Sequence, residues 1–111
     1  TQIDYDREMA LIAVGTDQGA EIQLGVARYA MTPDGQGCEF AIAVADDLQN
    51  TGISKRLLQA LITAARDRGL QWISAQTFAD NAPMCALARG CGFDVRPHDD
   101  DPALVQLCRS L

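Results

Sequence analysis

The chain has 111 residues, 48% hydrophobic and 22% charged, which suits one folded domain with its own core and excludes a disordered tail. Nine basic residues against fifteen acidic ones leave a net charge of −6, which argues against nucleic acid as the main partner and suits a cationic one. No apolar run reaches the length of a bilayer span and no signal-like segment opens the chain, so a membrane is not expected and the cytoplasm is.

Met9 to Val14 reads as the first strand, after the charged segment Asp4 to Glu8. Gly15 to Gly19 is expected to turn the chain back into a partner strand from Ile22 to Ala30, with Leu24, Val26 and Tyr29 as core candidates. Thr32-Pro33-Asp34-Gly35-Gln36-Gly37 is a second turn of strong type. A three-stranded antiparallel meander should therefore end in a central strand beginning at Glu39.

That strand carries Phe40, Ile42 and Val44 on one face, and Glu39, Ala41, Ala43 and Ala45 on the other. A face with so little side chain is either closely packed or open to a ligand. After Asp46-Asp47 comes a polar loop, Gln49-Asn50-Thr51-Gly52-Ile53-Ser54, and then a helix. Ile53, Leu57, Leu58, Leu61, Ile62 and Ala65 make its apolar stripe, and Arg66, Arg68 and Gly69 mark its end. Its first turn holds Lys55 and Arg56, where the helix dipole favours carboxylates. Free N–H groups, a glycine and two cations together describe an anion site. The plainer alternative is a solvated first turn. The phosphate-loop pattern GxxxxGK(S/T) and GxGxxG are both absent.

Leu70 to Phe78 reads as a strand parallel to the central one, since a helix separates them. Asp80 or Asn81 caps a short helix from about Ala82 to Arg89, with Pro83 in its first turn. Phe93 to Arg96 and Leu104 to Leu107 are the last strands, giving βββαβαββ with a helix on each side of the sheet or nearby. Cys38, Cys85, Cys91 and Cys108 lack CxxC spacing and read as reduced thiols. His98 lies in Pro97-His98-Asp99-Asp100-Asp101-Pro102, an acidic loop without a second ligand set, so no metal is expected.

The stretch Gln49-x-x-Gly52-Ile53-Ser54 between strand and helix resembles motif A (Q/R-x-x-G-x-G/A) of the GNAT N-acetyltransferases. Downstream, Asn81-x-Pro83-Met84-x-x-Leu87-Ala88-Arg89-x-x-Gly92-Phe93 resembles the N-x-x-(A/M)…G-F helix of the same family. The opening Thr1-Gln2-Ile3-Asp4-Tyr5-Asp6-Arg7-Glu8-Met9-Ala10 is similar to the acetyltransferase domain of Pat-type bacterial protein lysine acetyltransferases. The resemblance spans essentially the whole chain.

It implies an α/β (α+β) GNAT fold, a mixed and mostly antiparallel sheet with flanking helices. The family's usual N-terminal strand and helices have no counterpart, so residues 1–111 are expected to be one N-terminally incomplete acetyltransferase domain of a longer chain. The implied donor is acetyl-CoA or a related acyl-CoA. The implied acceptor is a protein lysine, for instance on a metabolic enzyme, and the implied neighbour is a domain resembling an acyl-CoA synthetase.

The family pattern also assigns roles. Backbone N–H groups of Gln49, Asn50, Thr51, Gly52, Ile53 and Ser54, with Lys55 nearby, would hold the pyrophosphate. The edge formed by Ile42, Ala43 and Val44 would pair with the pantetheine amides, in a space opened by a splayed strand of the kind a β-bulge produces. One N–H there would stabilise the oxyanion. Asn81 matches the asparagine that contacts the pantetheine arm, and as a helix cap it has a second role. Glu39 matches the general base, although by chemistry alone it is an exposed strand-end carboxylate. Three positions depart from the pattern: Thr51 before the glycine, Ser54 for the last glycine, and Ala88 where many members carry an acidic tyrosine. The alternatives are an acyl-CoA-sensing regulatory domain without catalysis and a small-amine acetyltransferase.

Overall fold

The computed structural model describes residues 7–45 and 52–111. Its elements are β1 (Glu8–Asp17), β2 (Ala20–Met31), β3 (Gly37–Val44), α1 (Ile53–Asp67), β4 (Trp72–Phe78), α2 (Ala82–Gly90), β5 (Asp94–Pro97) and β6 (Leu104–Ser110). This is the expected order, in one six-stranded sheet arranged β1-β2-β3-β4-β6-β5. Among the described residues β3 and β4 run parallel, and every other strand pairing is antiparallel.

The first reversal is tighter than the glycines suggested. Gly15 stays in β1 opposite Ile22, and only Gln18 and Gly19, at φ 52 and 81, turn the chain. Two successive positive φ values match the right-handed twist of the flanking strands, which a longer loop would not enforce. The fourth strand starts at Trp72 rather than Leu70, because the Leu70 N–H closes α1 by donating to Ala65 O at 3.1 Å. Helix α1 buries Leu57, Leu58, Leu61, Ile62 and Ala65, the predicted stripe apart from half-buried Ile53.

Strand alternation divides the sheet into two unlike faces. Ala27, Tyr29, Cys38, Phe40, Ile73 and Leu107 are buried on one face, in a single core with α1 residues and Ala88 of α2. Both helices therefore cover the same face. Phe93, just after α2, reaches Phe40 of β3 with ring centroids 5.4 Å apart and planes tilted by 57°. Glu39, Ala41 and Ala43 lie on the opposite face and are exposed, as are Ile12 and Phe78 at 57% and 64%.

The feature that shapes the site is how early β3 and β4 part. Their pairing consists of Gly37↔Trp72, Cys38↔Ile73 and Glu39↔Ser74, and ends there. Beyond it β3 follows β2 in unbroken register to Val44, while β4 follows β6 to Phe78↔Leu104. The expected β-bulge is not in β3: the register shift of the described sheet falls between Ala13 and Val14 of β1. Past Glu39 each of the two strands stays paired with its outer neighbour alone among the described residues.

Candidate active site

Beside the edge of β3 that β4 leaves lies a cleft of about 530 Å3. Ile42 and Val44 of β3 form one wall. Gly52, Ser54 and Lys55 bring in the start of α1, and Asn81, Pro83, Met84, Ala86 and Leu87 supply the wall made by α2. Past Glu39, the edge of β3 that faces β4 has no strand partner among the described residues.

The start of α1 is built to leave its N–H groups open. Gly52 is the N-cap at φ 89, in the left-handed region where a side chain is strained, and no atom of the described residues stands within 4 Å of where its Cβ would be. A glycine offers no side-chain oxygen to the first-turn N–H groups, and no acidic residue lies in that turn. Lys55 is exposed and lines the cleft, so the positive helix end and an ammonium group address the same space. Arg56 is exposed and is not among the lining residues.

Asn81 caps α2 and faces the cleft. Its Oδ1 accepts from the Met84 N–H at 3.3 Å, and its Nδ2 donates to Thr77 Oγ1 at 3.0 Å. Pro83, Met84 and Leu87 recur at helical spacing on the cleft side of α2, while Cys85 and Ala88 face the core. The sequence carries this pattern in its second motif, yet that motif points to Asn81 alone. A helix that lines a cleft and a core at once shows apolar residues on both sides, and composition does not separate them.

Of the residues assigned to donor binding, Ile42, Val44, Gly52, Ser54, Lys55 and Asn81 come together at the cleft. The side chain of Ala43 points to the opposite face, and Ile53 packs partly buried against the core. Gln49, Asn50 and Thr51 lie outside the described residues, as do positions 1–6 of the chain's opening motif. Glu39 occupies the last paired position before the strands part, opposite Ala30 and Ser74, with its side chain exposed on the face opposite α1 and α2. Ala88 is fully buried, so that position holds no side chain toward the cleft.

The cysteines are free thiols: Cys38, Cys85 and Cys91 are buried and Cys108 is half-buried. Burial pushes the Cys38 thiol up to about 11 and also raises Cys91, against the pull of Lys55 and Arg109. Both are held in the thiol form that suits packing rather than nucleophilic attack. His98 organises its own loop, its Nδ1 accepting from the Asp100 and Asp101 N–H groups at 3.1 Å each. Among the described residues no three His, Cys, Asp or Glu side chains gather as a metal set, and no helix is long and apolar enough to cross a membrane.

Comparison with known proteins agrees with this architecture. The GNAT domain of PAT from S. lividans superposes with a TM-score of 0.81 at 24% identity, over 100% of this chain and 65% of that one. An acetyltransferase of Pseudomonas aeruginosa is 33% identical over 103 residues, 93% of this chain and 55% of its own length. The L-methionine sulfoximine/L-methionine sulfone acetyltransferase of Pseudomonas paraeruginosa is 35% identical over 88 residues, 76% of this chain and 51% of its own. The chain thus spans about half the length of the curated relatives it matches. The model of the acetyltransferase (GNAT) family, whose members are acyl-CoA-dependent N-acetyltransferases, matches residues 2–93, and the chain belongs to that family.

Proposed function

We propose that this chain carries the donor-binding and reacting part of an acetyl-CoA-dependent N-acetyltransferase whose acceptor is a protein lysine. The cleft beside the edge of β3 carries the reading, because it joins the open start of α1 to a strand edge with no strand partner among the described residues. The N–H groups at Gly52, Ile53 and Ser54, with Lys55 and the preceding Gln49, Asn50 and Thr51, would hold the pyrophosphate. The pantetheine arm would then lie between the strands, its amides along Ile42, Ala43 and Val44 and beside Asn81.

The acceptor would approach from the face opposite α1 and α2, where Glu39 marks the vertex of the opening. A lysine is an ammonium ion at neutral pH and must lose a proton before it can attack. Glu39 would take that proton, directly or through a water. The amine nitrogen then bonds to the thioester carbon, the carbon–sulfur bond breaks, and the thiolate takes a proton from solvent or another acid. An N–H of β3 would stabilise the oxyanion between these steps. The acidic balance of the chain supports a cationic acceptor. Free buried thiols support a reducing compartment such as the cytoplasm. A neighbouring synthetase-like domain in one polypeptide belongs to the same reading.

The relative that acetylates L-methionine sulfoximine supports a second reading, a small amino compound as acceptor. Acetyl-CoA supplied with a lysine-containing protein or with L-methionine sulfoximine, followed by mass spectrometry, separates the two. Acetylated lysine is the expected product. Acetylated sulfoximine alone would favour the small acceptor, and binding of acetyl-CoA without any product would favour a sensor.

A further inference from the structure

Thr77 stands on β4 beyond the point where that strand leaves β3, paired with Val105 of β6 on its other side. Its half-buried hydroxyl oxygen accepts from Asn81 Nδ2 at 3.0 Å, across the turn that leads into α2. Asn81 is thus held at both ends of its amide, with Oδ1 taken by the Met84 N–H and one Nδ2 hydrogen by Thr77. Its backbone is held as well, the Asn81 N–H donating to Phe78 O at 3.0 Å. An Asn amide has two donor hydrogens, and the second has no partner among the described residues. Since Asn81 lines the cleft, that second hydrogen is the polar group it can offer there.

We infer that Thr77 is a positioning residue for donor binding: through its bond to Nδ2 it fixes the Asn81 amide as a hydrogen-bond donor to the pantetheine arm of CoA. The inference rests on the donor-site reading above. Without Thr77 the cap bond to Met84 would still restrain Oδ1, but the amide would lose the contact that sets its tilt and its flip state. An amide free to choose between orientations gives up part of its binding to reordering. Thr77 needs only to accept, so serine replaces it and valine, of the same shape, does not.

The test is titration calorimetry with two probes, CoA and adenosine 3′,5′-bisphosphate, which carries phosphates but no pantetheine. Thr77→Val is expected to weaken CoA by roughly three- to tenfold, the range of one hydrogen bond, and to leave the bisphosphate unchanged. Thr77→Ser should restore CoA affinity. Asn81→Asp, which keeps a capping oxygen but cannot donate, should weaken CoA on its own, and adding Thr77→Val should then weaken it no further. Equal CoA affinity for wild type and Thr77→Val would overturn the role, as would equal losses for both probes or failure of serine to rescue. A wild-type chain that does not bind CoA would overturn the donor-site reading itself, and the role of Thr77 with it.

Discussion

The indole of Trp72 lies directly over Gly37, at the first of the residue pairs that join β3 to β4. A Cβ at position 37 would stand 2.1 Å from Trp72 Cε2, so only glycine leaves room for the ring. The same end is fastened by the Gln71 N–H donating to Gln36 O at 2.7 Å and the Leu111 N–H donating to Gln71 O at 2.9 Å. The cleft is therefore an opening with one clamped end, and the clamp sits next to Glu39.

Gly37→Ala should loosen that clamp. Overpacking against the Trp72 ring costs about 1–3 kcal/mol, which urea unfolding will register as a lower midpoint. In a Trp72→Ala background the same substitution should cost far less, because the ring it strikes is gone. Equal costs in the two backgrounds would place the strain elsewhere.

Gly52→Asp should abolish or severely weaken acetyl-CoA binding, measured by calorimetry. It puts a carboxylate at the open start of α1, against the charge of the phosphates. Because Gly52 has a φ of 89, any side chain adds strain, and Gly52→Asn serves as the control. Asparagine tolerates this backbone and carries no charge, so it should retain much more affinity than aspartate. Matching losses for the two variants would assign the effect to shape rather than to charge.

Glu39→Gln should lower the rate of acetyl transfer by roughly a hundred- to ten-thousand-fold while acetyl-CoA affinity stays nearly unchanged. Glutamine keeps the size of the side chain but cannot accept the proton. A rate indifferent to the substitution would remove Glu39 as the base and leave acetyl transfer standing.

Alkaline pH should destabilise the fold in a defined window. Burial raises the Cys38 thiol from an ordinary 9.0 to about 11, and it raises the Tyr29 phenol too, with a smaller push from Cys38. A folded pKa above the unfolded one means the unfolded chain ionises first. The contribution of Cys38 is then complete below pH 9 and is lost as pH rises toward 11. Cys38→Ala should show a flatter decline of Tm across that interval than the wild type, whatever its Tm at neutral pH.

Much of this architecture was legible in the chain itself, because it depends on neighbours in sequence. The α1 stripe from Leu57 to Ala65, the Asn81 cap and the alternation of Phe40, Ile42 and Val44 follow from periods that a few adjacent residues already define. The glycine start of α1 and the lysine in its first turn were legible for the same local reason. What tertiary structure alone decided is where strands stay together and where they part. No residue in β3 signals the parting after Glu39; it arises because β2 holds one strand and β6 the other. The placement of both helices on one face, the α2 wall of the cleft, Trp72 over Gly37 and Thr77 beneath the Asn81 amide follow from that same assembly. A sheet's twist and pairing are cooperative properties of all its strands, and residues distant in sequence meet only once they are set.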